Sequence, residues 1–122
     1  MTEIKLPWPP TALSPNTHTH YMTLARAKKI YRQACWATTL EQLQEAIRVE
    51  PGQHLRLELE FYKPTKREMD RDNLLARMKS GIDGMADALK VNDRVFQPIS
   101  ISVAPEIGGF VMVRIFNTSE QS

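Results

Sequence analysis

Leu55, Leu57, Leu59 and Phe61 alternate with Arg56, Glu58, Glu60 and Tyr62, and this strict period of two constrains the fold more than any other feature. A strand with one apolar face needs neighbours for its hydrogen-bond ladder and a layer to cover its leucines. That layer is supplied further along the chain. Leu74, Met78, Ile82, Met85 and Leu89 recur at steps of four, four, three and four, which predicts a helix over residues 73–90 with one apolar stripe. Asp72 is placed to cap its first turn.

The remaining elements are read around these two. Residues 2–7 predict a short strand, stopped by the prolines Pro7, Pro9 and Pro10, which supply no ladder donor. Leu13 to Tyr21 reads as a polar loop. Residues 23–38 place Leu24, Ala27, Tyr31, Ala34, Cys35 and Thr38 on one helical face, and a second short helix is expected over 41–48. Pro51-Gly52 marks a turn. Two strands, about 98–104 and 110–117, are expected to close the chain as a hairpin through Gly108-Gly109. The expected fold is therefore a single α+β domain over residues 1–122: a mixed sheet of about four strands, with helices packed on it, in the order β-α-β-α-β-β.

Composition narrows the class. A hydrophobic fraction of 42% and a charged fraction of 25% belong to a globular chain, and no apolar run approaches the ~20 residues of a membrane span. The first residues carry no apolar h-region, and Cys35 is the only cysteine. These features set the expectation of a cytoplasmic protein with no membrane partner, no internal disulfide and no Cys-rich zinc site. The net charge of +2 argues for no partner by itself, but its distribution does. Lys63, Lys66, Arg67, Arg71, Arg77 and Lys79 surround Glu68, Asp70 and Asp72, a field attractive to phosphates once the acids are neutralised by a cation.

The acids point to that cation. Asp70, Asp72 and Asp93 are expected to converge at the two ends of the unit containing the second long helix, and oxygen clusters of this kind hold hard ions such as magnesium. At roughly 100° per residue, Asp72, Ala76, Lys79 and Asp83 share one line along the helix, while Arg77 is swung about 140° from Asp72. Lys79 and Asp83 also suit a plain i,i+4 ion pair worth a few tenths of a kcal/mol. Glycines at 81 and 84 cost a helix interior about 1 kcal/mol each, so a partner element or a nucleic-acid backbone is expected to approach closely there. His18 and His20 form a His-x-His pair better suited to loop or phosphate contacts than to a metal.

Taken in order, Leu6-Pro7-Trp8-Pro9-Pro10, Ser14-Pro15-Asn16, Asp70-Arg71-Asp72-Asn73-Leu74, Lys79 with Asp83, and Asn92-Asp93-Arg94-Val95 resemble the motif set of the RusA-type Holliday junction resolvases. The resemblance covers nearly the whole chain. It implies a magnesium-dependent endodeoxyribonuclease of DNA recombination and repair, with manganese as a possible substitute, acting as a homodimer on four-way junction DNA by paired symmetric nicks. It assigns metal binding to Asp70, Asp72 and Asp93 and catalytic support to Lys79. Asp83 and Asn92 become auxiliary candidates; Lys66, Arg67, Arg71, Arg77 and Asn16 become DNA-binding candidates. Two departures stand out: Ala76 occupies the position where the founding members carry the lysine, and an amide, Asn92, replaces the first acid of the later pair. The expected dimer surface is either the first helix, with Tyr31, Cys35 and Trp36, or the terminal hairpin, with Phe110, Met112 and Phe116.

Two other classes stay open: a non-catalytic junction-binding protein, and a transferase holding a metal-diphosphate through Asp-x-Asp. The latter lacks room for a nucleotide lobe and an acceptor lobe in 122 residues.

Overall fold

The computed structural model describes residues 1–15 and 20–117. Strand β1 (Thr2–Pro7) leads through a 3-10 turn (Thr11–Leu13) to helix α1 (Tyr21–Gln42). Strand β2 (Leu55–Tyr62) is followed by helix α2 (Arg71–Leu89), a 3-10 turn (Asp93–Val95), and strands β3 (Phe96–Val103) and β4 (Phe110–Asn117). The sheet order is β1-β4-β2-β3, with β1/β4 and β4/β2 antiparallel and β2/β3 parallel. This is the expected α+β architecture, one mixed four-stranded sheet with two helices against it. Among the described residues no helix is long and apolar enough to cross a membrane.

Alternation decides which face of the sheet is covered. Leu57 pairs with Ile115, Leu59 with Val113 and Phe61 with Val111, while Ile4 and Leu6 sit opposite Val113 and Val111 from the other side. All of these are buried, as are Tyr31 and Cys35 of α1 and Leu74, Met78, Ile82, Met85 and Leu89 of α2. Truncating one of the buried leucines, isoleucines or methionines to alanine would cost about 2–5 kcal/mol. The opposite face is polar. Arg114 reaches Glu60 at 3.2 Å and Glu3 at 3.5 Å, and Lys5 and Arg56 lie over the rings of Phe110 and Phe116.

The glycines in α2 answer to a partner element, and it is α1. A Cβ at Gly84 would strike the Arg32 carbonyl oxygen, and one at Gly81 would stand 2.5 Å from the Tyr31 ring and 3.0 Å from Cys35 Sγ. The two helices therefore approach almost backbone to backbone. Tyr31 and Cys35, expected on a dimer surface, are consumed by this contact; burial raises the Tyr31 phenol above its usual range and pushes the Cys35 thiol up to about 12.

Three local expectations are corrected. No helix covers 41–48: α1 runs on to Gln42, whose amide accepts from Lys5 N–H and donates to Lys5 O, both at 2.7 Å, satisfying the free edge of β1. Beyond it Leu43, Ile47 and Val49 pack on the core without helical structure. Nor do β3 and β4 form a hairpin. A parallel pair needs a long crossover, and α2 provides it between β2 and β3; β4 then lies on the other side of β2. Gly108 and Gly109 donate to Lys63 O and Tyr62 O, so the glycine turn is pinned to the end of β2, and Gly109 takes the positive φ of 81° this requires. Finally, the N-cap of α2 is Asp70 rather than Asp72: its Oδ1 accepts from Asp72 N–H at 2.9 Å.

The proline segment is also fixed from two sides. Tyr31 Oη donates to Pro7 O at 2.6 Å, and Arg77 Nη2 donates to Pro9 O at 2.6 Å, with its guanidinium 5.7 Å from the Trp8 ring. Trp8 in turn meets Phe61 edge to face. These ties bring the Thr11–Leu13 turn against α2 at the level of Lys79.

Candidate active site

Asp72 occupies the first turn of α2, where the exposed amides favour a negative charge. Seven residues on, Lys79 returns to its azimuth, and Asp83 follows at the next turn. This line does face a cavity. Asp72, Leu75, Ala76, Lys79, Ile82 and Asp83 of α2 meet Asp93 and Ile99 around a volume of about 410 Å³. Asp93 is delivered by the 3-10 turn before β3, which Asn92 caps by accepting Arg94 N–H at 2.9 Å. The parallel β2-α2-β3 unit thus joins both ends of the acidic motif set, and α2 is the wall between them.

The electrostatics of the cavity are those of crowded carboxylates. Burial, and then the neighbouring charge of Asp93, hold the Asp83 carboxyl above its usual range, against the opposing pull of Arg32 and Lys79. Lys79 makes no ion pair or hydrogen bond among the described residues, so the simple Lys79–Asp83 bridge is not formed and the ammonium remains available. Arg32 contributes from α1: it pairs with Asp87 through Nε–Oδ2 at 2.7 Å and Nη2–Oδ1 at 3.0 Å, and the charges of Asp83 and Asp93 also raise its pKa.

The expected triad is not gathered as such. Asp72 and Asp93 line the cavity, whereas Asp70 is turned back onto the first turn of α2 as its cap. The third acid at the cavity is Asp83. Among the described residues no three His, Cys, Asp or Glu side chains lie close enough to hold a metal by themselves. The donor set nevertheless suits magnesium, which keeps several waters and takes only one or two carboxylates together with substrate phosphates. Asp72 and Asp93 supply hard oxygen donors at one opening, and Asp70 Oδ2 takes no partner among the described residues.

Other expected residues fall elsewhere. Lys66, Arg67 and Arg71 are exposed at the approach to α2, where Lys63 Nζ donates to Arg67 O at 2.9 Å. Arg77 is no surface contact: it is 7% exposed and spends its charge on Pro9 O and Trp8, and burial lowers its pKa. Asn92 serves as a cap. Asn16 and His18 lie outside the described residues, and His20 caps α1 by accepting Met22 N–H at 3.2 Å. Arg32 was not a sequence candidate for this cavity, since it is some fifty residues from Asp83. The glycine at 84 was its only signal, because it marks where the Arg32 backbone passes.

No family model matches the chain. Over 96 residues, 79% of the chain, it is 36% identical to an uncharacterized protein of Xylella fastidiosa (strain Temecula1). The match spans 63% of that relative's length.

Proposed function

We propose that this chain is a magnesium-dependent, structure-selective endodeoxyribonuclease that nicks four-way DNA junctions. The single observation that carries the reading is the cavity in which Asp72, Asp83 and Asp93 face a Lys79 that makes no ion pair or hydrogen bond among the described residues. Carboxylates with a free ammonium are the requirements of metal-assisted phosphodiester hydrolysis, and the motif order that resembles the RusA-type resolvases supports the substrate. Asp72 and Asp93 would hold the ion, with Asp70 Oδ2 adding a donor from the helix cap. Bound there, magnesium supplies charge that polarises the scissile phosphate and acidifies the attacking water.

The chain's own groups then have defined tasks. Lys79 donates to the phosphoryl oxygens as negative charge builds on them, a contribution on the order of 10²-fold to 10³-fold for a preorganised donor. Ala76, small and exposed between Asp72 and Lys79, leaves space for the phosphate. Leu75, Ile82 and Ile99 form apolar walls that limit water. Lys66, Arg67 and Arg71 attract the backbone leading to the cavity. Two cuts at symmetric positions call for two cavities, which a two-fold homodimer supplies.

The test is incubation with a synthetic four-way junction and with a linear duplex of the same length, with and without magnesium, read on a denaturing gel. Paired nicks in the junction only, and only with the metal, are expected. Tight junction binding without nicks in any divalent metal would favour the non-catalytic junction binder instead.

A further inference from the structure

The polar line of α2 has a second flank. Ala76, Lys79 and Asp83 also border a separate cavity of about 350 Å³ on the side away from β3, closed by the Thr11–Leu13 turn, Ser14 and Pro15, and by Leu24 and Lys28 of α1. Its size is that of small-ligand sites. Its chemistry differs from the first: two ammonium groups, Lys28 and Lys79, stand beside apolar side chains, and one carboxylate, Asp83, is shared. Ser80 Oγ is buried and has no hydrogen-bond partner among the described residues. A hydroxyl shut away from both water and protein partners is unfavourable, so a ligand that draws it toward the cavity and satisfies it is favoured.

The two cavities meet along the line from Ala76 to Asp83, with Ala76 as its smallest side chain. A chain of phosphates crossing α2 there would place one phosphate over Lys79 and the adjoining nucleotide in the second cavity. We propose that this second cavity receives the unstacked nucleotide next to the scissile phosphate, its phosphate on Lys28, its base against Leu13 and Leu24, and a polar edge on Ser80 Oγ. The inference rests on the nuclease reading and deepens it, by assigning sequence preference at one flanking position to a defined pocket. A strand at a junction crossover is already partly unstacked, which reduces the cost of placing a base there.

The experiment couples substrate and protein changes. Four-way junctions carrying an abasic site immediately 5′ or immediately 3′ of the cleaved bond are compared with the intact junction under single-turnover conditions, for wild type, Leu24→Ala and Ser80→Ala. An abasic site on one flank only is expected to slow wild type about 10-fold or more, as base contacts of this kind carry. In Leu24→Ala the same lesion should change the rate by less than about 2-fold, because the contact is already lost. Ser80→Ala should reduce the discrimination among the four bases at that position. Should Leu24→Ala fail to fold, Ser80→Ala decides alone. Affinities for the same junctions in metal-free buffer read the coupling without cleavage, so a wild type that never nicks refutes the nuclease while the pocket is still decided. Equal penalties in wild type and both variants, or none in wild type, overturn the proposal.

Discussion

Replacing Gly84 by alanine probes the contact that positions both helices. A Cβ there would collide with the Arg32 carbonyl oxygen and stand 3.0 Å from the carbonyl carbon and 3.2 Å from Cα, where ordinary contact begins at 3.4 Å. The obstacle is backbone, so no rotamer change relieves it and α1 must move off α2. Overpacking typically costs about 1–3 kcal/mol, and a rigid backbone obstacle belongs at the upper end. Alanine returns about 1 kcal/mol of helix propensity, which leaves a net loss of about 2 kcal/mol. For a chain of this length that lowers Tm by roughly 8 °C. Thermal and urea unfolding followed by circular dichroism would measure it. The double variant Arg32→Ala/Gly84→Ala should lose less than the sum of the single losses, because moving α1 off α2 already disturbs the Arg32–Asp87 pair that the first substitution removes. A Gly84→Ala protein as stable as wild type, or more so, would refute the close approach.

Other consequences follow from single contacts. Arg77→Ala should lose about 2–3 kcal/mol through the freed Pro9 carbonyl and the emptied site beside Trp8, without changing the salt dependence of junction binding; wild-type stability with a shallower salt dependence would return Arg77 to the DNA surface. Lys90 ends α2 with φ of 59°, so Lys90→Gly should raise stability by about 1 kcal/mol, and a fall in Tm would contradict that cap geometry. Lys79→Ala should slow single-turnover nicking about 10²-fold or more at saturating protein while leaving Tm unchanged; an unaltered rate would remove the lysine from the chemistry.

The parts of this structure legible in the sequence are those that one element decides alone. Alternation in 55–62 and the four-and-three spacing from Leu74 to Leu89 set a strand and a helix whose covered faces are the observed ones. The line from Asp72 to Asp83 is likewise helix geometry. What failed depended on partners distant in sequence. Leu43, Ala46 and Ile47 have helix-like spacing, but the Gln42 amide ends α1 on the edge of β1. Gly108-Gly109 looks like a hairpin turn, yet its amides bond to the end of β2. Arg77 reads as a DNA-binding cation from the basic cluster around the acids, and only the fold of Trp8 and Pro9 over α2 explains why it is buried. The acids behave the same way: capping turns Asp70 inward to its own helix, and the α2-to-β3 connection brings Asp93 beside Asp83 instead.

The most direct test of the account measures single-turnover nicking of a four-way junction in magnesium by Asp70→Asn, Asp72→Asn and Asp93→Asn, beside junction affinity in metal-free buffer. Asparagine caps a helix about as well as aspartate, so Asp70→Asn separates a metal donor from a cap. The account predicts nicking slowed at least about 10²-fold in each variant, consistent with losing a charged group that acts on the transition state, with junction affinity retained because binding rests on the basic groups. Wild-type nicking by Asp93→Asn, or by Asp72→Asn, would contradict it.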